Sequence, residues 1–187
     1  MLGIRLDGRG GQGAVSASKI LAQAYYLQGF SVQSFPSFGM ERRGAPVSAF
    51  VRVDERPILR RGRIEKSDVV IVLDPALLLI IDVTEGLTPK GLLLLNHTRH
   101  PGEIDLKGDF QLATVDATKL ALAHGLGSSS SPMVNTVLLG ALARLRDDLN
   151  LDNVLAAIGQ NMPVKVEANM AAARQAFDAV ERGWVMR

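Results

Sequence analysis

A glycine-rich hexapeptide, Gly8-Arg9-Gly10-Gly11-Gln12-Gly13, joins a short apolar-alternating segment, Gly3 to Asp7, to a helical pattern running from Ala14 to about Gln28. Ile20, Leu21, Ala24 and Leu27 recur at helical spacing, so this helix is expected to pack one face on a sheet, and Gly29 is its natural stop. A strand that enters a helix through such a turn leaves few folds open, and the first of them is Rossmann-like. Gly8, Gly10 and Gly13 match G-x-G-x-x-G. Glycines let the chain turn tightly and let a ligand approach the backbone, while the helix N-terminus offers unpaired N–H groups to an anion. Arg9 adds a cation at the rim.

The same glycines are compatible with several uses. A dinucleotide site needs an acid about 20 residues on, at the end of the next strand, to hold a ribose. Here that stretch is Ser31-Val32-Gln33-Ser34-Phe35-Pro36, and the first carboxylate after Gly13 is Glu41. The sequence therefore argues against NAD. It leaves open close helix–strand packing without a ligand, a phosphate-containing ligand, and contact with another subunit.

The rest of the chain supplies the sheet. Ser31 to Phe35 reads as a second strand ended by Pro36, and Val47 to Val53 as an alternating strand at or near an edge, with Pro57 to Leu59 completing a hairpin. Val69 to Leu73, Leu92 to Leu95 and Phe110 to Val115 are apolar runs of the kind found in parallel strands buried on both faces. They end in Asp74, Asn96 and Asp116, where a sheet presents its carboxyl edge. Helices are expected over Ala117 to His124, from Pro132 to about Arg146, over Asp152 to Gln160 and over Val164 to Val180, with Ser128 to Ser131 as a polar link. The expected fold is α/β: three-layer and Rossmann-like, a largely parallel sheet with flanking helices and a helical C-terminal tail. No repeat or composition shift divides the chain, so residues 1–187 are read as one domain.

Composition narrows the chemistry. The 187 residues contain no cysteine, which excludes disulfides, thiolate nucleophiles and cysteine-ligated iron–sulfur clusters on this chain. A formal net charge of +2, with Arg and Lys scattered apart from Arg42-Arg43 and Arg60 to Arg63, gives no concentrated face for nucleic acid. The run Val69 to Val83 is interrupted by Asp74, Pro75 and Asp82, and Met1 to Arg5 has no signal-like apolar stretch, so a cytoplasmic protein off the membrane is expected. His97 and His100 lack a third ligand at metal-binding spacing and are read as loop residues. Asp74 and Asp116 are read as helix caps, and His124 as a helix C-terminal cap. The stripe Val134, Val137, Leu138, Ala141, Leu142, Leu145 is read as core or subunit interface.

The hexapeptide with Ile20-Leu21, then Phe35-Pro36-Ser37-Phe38-Gly39 and Glu41-Arg42-Arg43-Gly44-Ala45-Pro46, resembles the gamma subunits of pyruvate and other 2-oxoacid:ferredoxin oxidoreductases. Asn135, Leu139-Gly140 and Asn169 extend the resemblance over nearly the whole chain. It implies a subunit, inactive alone, of an enzyme that decarboxylates a 2-oxoacid oxidatively to an acyl-CoA. The partners implied are alpha, beta and delta-type chains and a ferredoxin or other acceptor. Thiamine diphosphate, its Mg and the iron–sulfur clusters are implied on those partners. No catalytic or metal-binding residue is expected here. The resemblance further implies that Arg42 and Arg43 meet coenzyme A, with Gly8, Arg9, Gly10, Gly11, Gln12 and Gly13 nearby. Two guanidinium groups on a Gly/Pro-limited loop suit a phosphate or a carboxylate. They equally suit acidic groups of a neighbouring subunit. A free-standing Rossmann-like nucleotide- or phosphate-binding protein, and a ligand-free scaffold subunit, are the competing readings.

Overall fold

The computed structural model describes residues 1–37, 45–60, 62 and 64–186. Its strands are β1 (Leu2–Arg9), β2 (Ser31–Ser37), β3 (Pro46–Asp54), β4 (Ser67–Val72), β5 (Leu87–Asn96), β6 (Asp109–Val115), the two-residue β7 (Gly127–Ser128) and β8 (Ser131–Pro132), and β9 (Glu181–Met186). Its helices are α1 (Ala14–Leu27), α2 (Ala117–Ala123), α3 (Asn135–Leu145), α4 (Leu151–Asn161) and α5 (Val166–Ala179). The main sheet has seven strands in the order β2-β3-β1-β4-β5-β6-β9. Its centre, β1-β4-β5-β6, is parallel. The outer pairings, β2 with β3, β3 with β1 and β6 with β9, are antiparallel.

The sheet is flanked on both faces, unequally. Alternate residues of the parallel strands, among them Ile4, Leu6, Ile71, Leu94 and Ala113, form one core with all five α-helices. The opposite set, including Val70, Val72, Leu93, Leu95 and Leu112, is covered by Leu77 and Val83 from the β4–β5 connection. The third layer is therefore thin. Two short 3₁₀ turns, Pro75–Leu79 and Pro101–Glu103, stand in the connections where crossover helices would lie.

The α3 stripe proves to be core: Val137, Ala141 and Leu142 are fully buried and Leu145 packs partly buried against them. Helix α5 crosses α3 at very short range. A β-carbon on Gly140 would run into the backbone of Ala173, so only glycine lets the two helices approach this closely. Beside the crossing, Thr136 Oγ1 donates to Asn169 Oδ1 at 2.7 Å, and Asn169 Nδ2 to Lys165 O at 2.9 Å.

Several local expectations are corrected. The hairpin partner of β3 is β2, not Pro57 to Leu59, because Val32, Ser34 and Phe35 pair with Val53, Val51 and Phe50 along the whole strand. Strand β2 runs through Pro36 to Ser37; it is an edge strand, where a missing N–H costs little. Strand β3 lies one place in from that edge, near the edge as expected. Ser128 to Ser131 spans a tight hairpin rather than a link, and Pro132 belongs to it, so α3 begins only at Asn135. The helical C-terminal region ends in β9, which pairs with β6 from Glu181 opposite Thr114 to Met186 opposite Asp109.

Candidate functional site

The glycine-rich turn sits at the carboxyl edge of β1. Its backbone is held by Gln12 N to Arg9 O at 3.0 Å and by the first bond of α1, Ala17 N to Gly13 O at 2.8 Å. The Gln12 side chain locks it further: Arg9 N donates to Gln12 Oε1 at 2.7 Å, and Gln12 Nε2 donates to Asp74 Oδ2 at 2.8 Å. Arg9 Nε lies 3.0 Å from the same Asp74 oxygen, an ion-pair contact without hydrogen-bond alignment. Asp74 also accepts from Ala76 N at 2.9 Å, which confirms it as a cap. Its second role, as the anchor of Arg9 and Gln12, is not visible in sequence, because 62 residues separate it from Gln12.

The glycines differ in their surroundings. Gly11 has φ 97° and nothing within 4 Å of where its β-carbon would be. Gly13 has φ 82° and precedes α1 as its N-terminal cap residue. A β-carbon there would lie 2.7 Å from Asn135 Nδ2, so the Asn135 amide reaches the start of α1 only because Gly13 has no side chain. Gly8 is less constrained, since its β-carbon would make ordinary 3.5 Å contacts with Ala14, Gln12 and Leu73.

Other carboxyl-edge residues are tied into the fold. Asn96 Nδ2 donates to Leu73 O at 2.9 Å and to Thr118 Oγ1 at 3.0 Å, joining β5 to the end of β4 and the start of α2. Asp116 accepts from Lys119 N at 2.8 Å, capping α2 as expected. Asp7, one residue before the turn, is buried and accepts from Ser48 Oγ at 2.7 Å and Arg5 Nε at 2.9 Å. Burial pushes its carboxyl up, and Arg5 and Ser48 draw it partly back. His97 and His100 accept from Arg99 N at 3.0 Å and Gly102 N at 3.2 Å, as loop residues. His97 is pushed below its ordinary value, by burial first and then by the Arg99 charge. His124 follows the last turn of α2 and pairs its Nε2 with Gln175 Oε1 at 2.9 Å.

Arg42 and Arg43, with Phe38 and Met40, lie outside the described residues. The flanks of their loop are described. Strands β2 and β1 each run antiparallel to β3, so β2 ends at the carboxyl edge of β1 and β3 begins there. At that edge Pro46 pairs with Arg9, and Gly10 N donates to Ala45 O at 3.0 Å. The end of the loop that enters β3 therefore meets the glycine-rich turn. On one side β1 is bordered by antiparallel β3, entering with Ala45 and Pro46; on the other it is bordered by parallel β4, whose end leads to Asp74, already paired with Arg9 and capping the turn that follows.

A separate surface cavity of about 520 Å³ lies on β2 and β3, lined by Gln33, Phe35, Phe50, Arg52 and Arg60. Phe35 stacks on Phe50 with ring centroids 5.7 Å apart. The Arg52 guanidinium over Phe35 is already held by Gln33 Oε1 at 3.1 Å and Gly62 O at 2.6 Å. Among the described residues no three His, Asp or Glu side chains gather as metal ligands, and no helix is long and apolar enough to cross a membrane.

A strand, glycine turn and helix at the carboxyl edge of a mostly parallel sheet define a Rossmann-like α/β protein. The chain belongs to the pyruvate ferredoxin/flavodoxin oxidoreductase family, whose model matches residues 3–179, and it is of the gamma-subunit type. It is 45% identical over 185 residues to the pyruvate/ketoisovalerate oxidoreductases common subunit gamma of Pyrococcus abyssi, covering 97% of this chain and 98% of the relative. It is 44% identical over 183 residues to pyruvate synthase subunit PorC of Methanothermobacter thermautotrophicus, covering 97% of each. The crystal structure of pyruvate oxidoreductase subunit PORC from Thermotoga maritima superposes with a TM-score of 0.77 at 33% identity, over 97% of this chain and 98% of that one. The fold also recurs, at 23% identity and a TM-score of 0.71, as 30% of a chain of 2-oxoglutarate:ferredoxin oxidoreductase from Magnetococcus marinus, solved with 2-oxoglutarate, coenzyme A and succinyl-CoA bound.

Proposed function

We propose that this chain works inside a multi-subunit, thiamine diphosphate-dependent 2-oxoacid:acceptor oxidoreductase, inactive alone, and that its own task there is to help bind coenzyme A. Thiamine diphosphate supplies the carbanion chemistry of decarboxylation when bound. We assign it, its Mg and the iron–sulfur clusters to alpha, beta and delta-type partners, since this chain has no cysteine for a cluster. Electrons leave through those clusters to ferredoxin or another acceptor.

The observation that carries this reading is the hydrogen bond from Gly10 N to Ala45 O, which fastens the loop bearing Arg42 and Arg43 to the glycine-rich turn. Two guanidinium groups on a loop whose described end, Ala45, is bonded to the turn suit a polyphosphate. Arg9 has a smaller part, because its charge is committed to Asp74, and Gln12 shapes the turn rather than the ligand. The coenzyme A bound to the Magnetococcus marinus enzyme supports the same ligand class. Reversing Arg42 and Arg43 to Glu is expected to raise the KM for coenzyme A in the assembled enzyme at least tenfold while leaving the KM for the 2-oxoacid near its original value. An unchanged coenzyme A KM refutes the reading.

The internal bracing of the turn by Gln12 and Asp74 favours a second reading, a scaffold subunit without a ligand. On that reading the same charge reversal weakens co-purification of the partner chains and leaves the coenzyme A KM of the remaining complex unchanged.

A further inference from the structure

Two charged side chains are buried among the described residues, Asp7 at 2% exposure and Arg52 at 5%. The fold neutralises the first, since Arg5 Nε lies 2.9 Å from the Asp7 carboxylate. It leaves the second uncompensated. The Arg52 guanidinium donates to two neutral oxygens, Gln33 Oε1 and Gly62 O, and forms no ion pair among the described residues. A buried cation without a counter-charge opposes folding, and an arriving carboxylate removes that cost.

Arg52 lines the cavity on β2 and β3 together with Phe35, Phe50 and Arg60. Arg60 is exposed and has no partner among the described residues. No described carboxylate lines this cavity. A second groove of about 760 Å³ continues from it along β2, and the two share Gln33. Tyr26, Leu27 and Phe30 wall the groove on one side, Pro57 and Ile58 on the other, and no described charged side chain lines it. Ile58 is fastened in place by Gln33 Nε2, which donates to its carbonyl at 3.2 Å. Tyr26 is 61% exposed, and Leu59, next to Ile58, is 89% exposed. Strand β2 is the edge of the sheet, so both cavities face outward. An arginine–aromatic centre beside an apolar groove has the composition of an interface hot spot.

We propose that the β2 edge is a docking surface for a partner subunit of the oxidoreductase, which lays an apolar segment in the Tyr26–Ile58 groove and brings an Asp or Glu carboxylate to Arg52 and Arg60. The inference rests on the subunit reading and is independent of coenzyme A. Charge complementarity selects the occupant. The cavity offers two cations and no described acid, and the adjoining groove offers only uncharged walls. A second copy of this chain placed edge to edge brings the same cations and no carboxylate from this face. A partner with an acid next to an apolar stretch neutralises Arg52 and covers Tyr26 and Leu59 at once.

The test uses the assembled enzyme with a tag on a partner chain, and measures how much of this chain the tagged complex retains. Arg60→Glu is expected to lower retention at least tenfold, and Tyr26→Glu several-fold, each at an unchanged Tm of the isolated chain, since both side chains are exposed. Arg52→Met is expected to weaken retention and to raise the Tm of the isolated chain, because the uncompensated charge is gone; an arginine kept only for the fold would lower the Tm instead. Arg60→Lys offers an amine to carbodiimide coupling, and mass spectrometry is expected to find it joined to an Asp or Glu of a partner chain. Full retention of both Arg60→Glu and Tyr26→Glu overturns the docking surface. Coupling to a second copy of this chain overturns it too, as does normal assembly of Arg60→Glu with a raised coenzyme A KM, which would make the cavity a ligand site. Failure of the wild type to retain any partner chain refutes the subunit reading itself. Lost retention of Arg60→Glu, with an unchanged coenzyme A KM in the complex that remains, supports the surface and leaves coenzyme A to the Arg42 and Arg43 test.

Discussion

Gly140 and Gly11 stand at opposite extremes of crowding. At Gly140 the absent side chain is replaced by the backbone of Ala173, with no space left over. At Gly11 nothing takes the place of the side chain, and the residue is glycine for its φ of 97°. Gly13 lies between them: it has a positive φ, and the space it leaves holds the unpaired Asn135 amide. One residue type thus serves packing at the α3–α5 crossing and backbone conformation in the turn. Beside the turn, at Asn135, a buried amide oxygen is left without a hydrogen-bond partner among the described residues. That contrast separates a glycine kept for the fold from one kept beside a site.

Four substitutions test the contrast. Gly140→Ala forces a methyl group into Ala173 and is expected to cost about 3 kcal/mol, read as a lower midpoint in urea unfolding. A loss near zero would mean that α3 and α5 move apart freely. Gly13→Ala combines a left-handed φ with a 2.7 Å approach to Asn135 and is expected to cost about 2 kcal/mol by the same measurement. Gly11→Ala bears the conformational strain alone, about 1 kcal/mol, with no packing penalty. If it costs as much as Gly13→Ala, the Asn135 contact contributes nothing to the difference. The smallest effect is expected at His97→Gln, outside both regions. Folding depresses the His97 pKa, so the folded chain binds that proton less readily than the unfolded chain. Stability is therefore lost as pH falls from the ordinary histidine value through the folded one. The variant should lose less stability than the wild type over that range, as followed by thermal unfolding.

Much of the fold is legible along the chain because it depends on local periodicity. The continuous apolar runs Val69–Leu73 and Leu92–Leu95 are buried parallel strands, and Asp74 and Asp116 cap the elements after them. Strand β9 escapes notice because Glu181-Arg182-Gly183-Trp184-Val185-Met186 lies on the sheet's edge and buries only Val185, leaving no alternation to read. The Pro57–Leu59 hairpin fails because β3 has a longer partner in β2, and seven-residue pairing outweighs proximity in sequence. The glycine-rich turn was marked by its residues. Asn135 was marked by resemblance alone, since one Asn opening an apolar helix carries no site signal of its own.

The sequence by itself determined the class: the strand–turn–helix junction, the missing ribose acid, the absence of cysteine and the two motifs that join the chain to its family. These are properties of neighbouring residues, and short-range sterics and composition express them. The tertiary structure alone decided that β3 enters beside Arg9, that Asp74 holds Arg9 and Gln12, and that Asn135 lies against Gly13 with no partner. Asn135 and Gly13 are far apart along the chain, and their contact exists only because α1 and α3 pack on one face of the same sheet. An unpaired group of this kind cannot be read from sequence, because its defining property is the absence of a neighbour, and neighbours are assigned only when the chain folds.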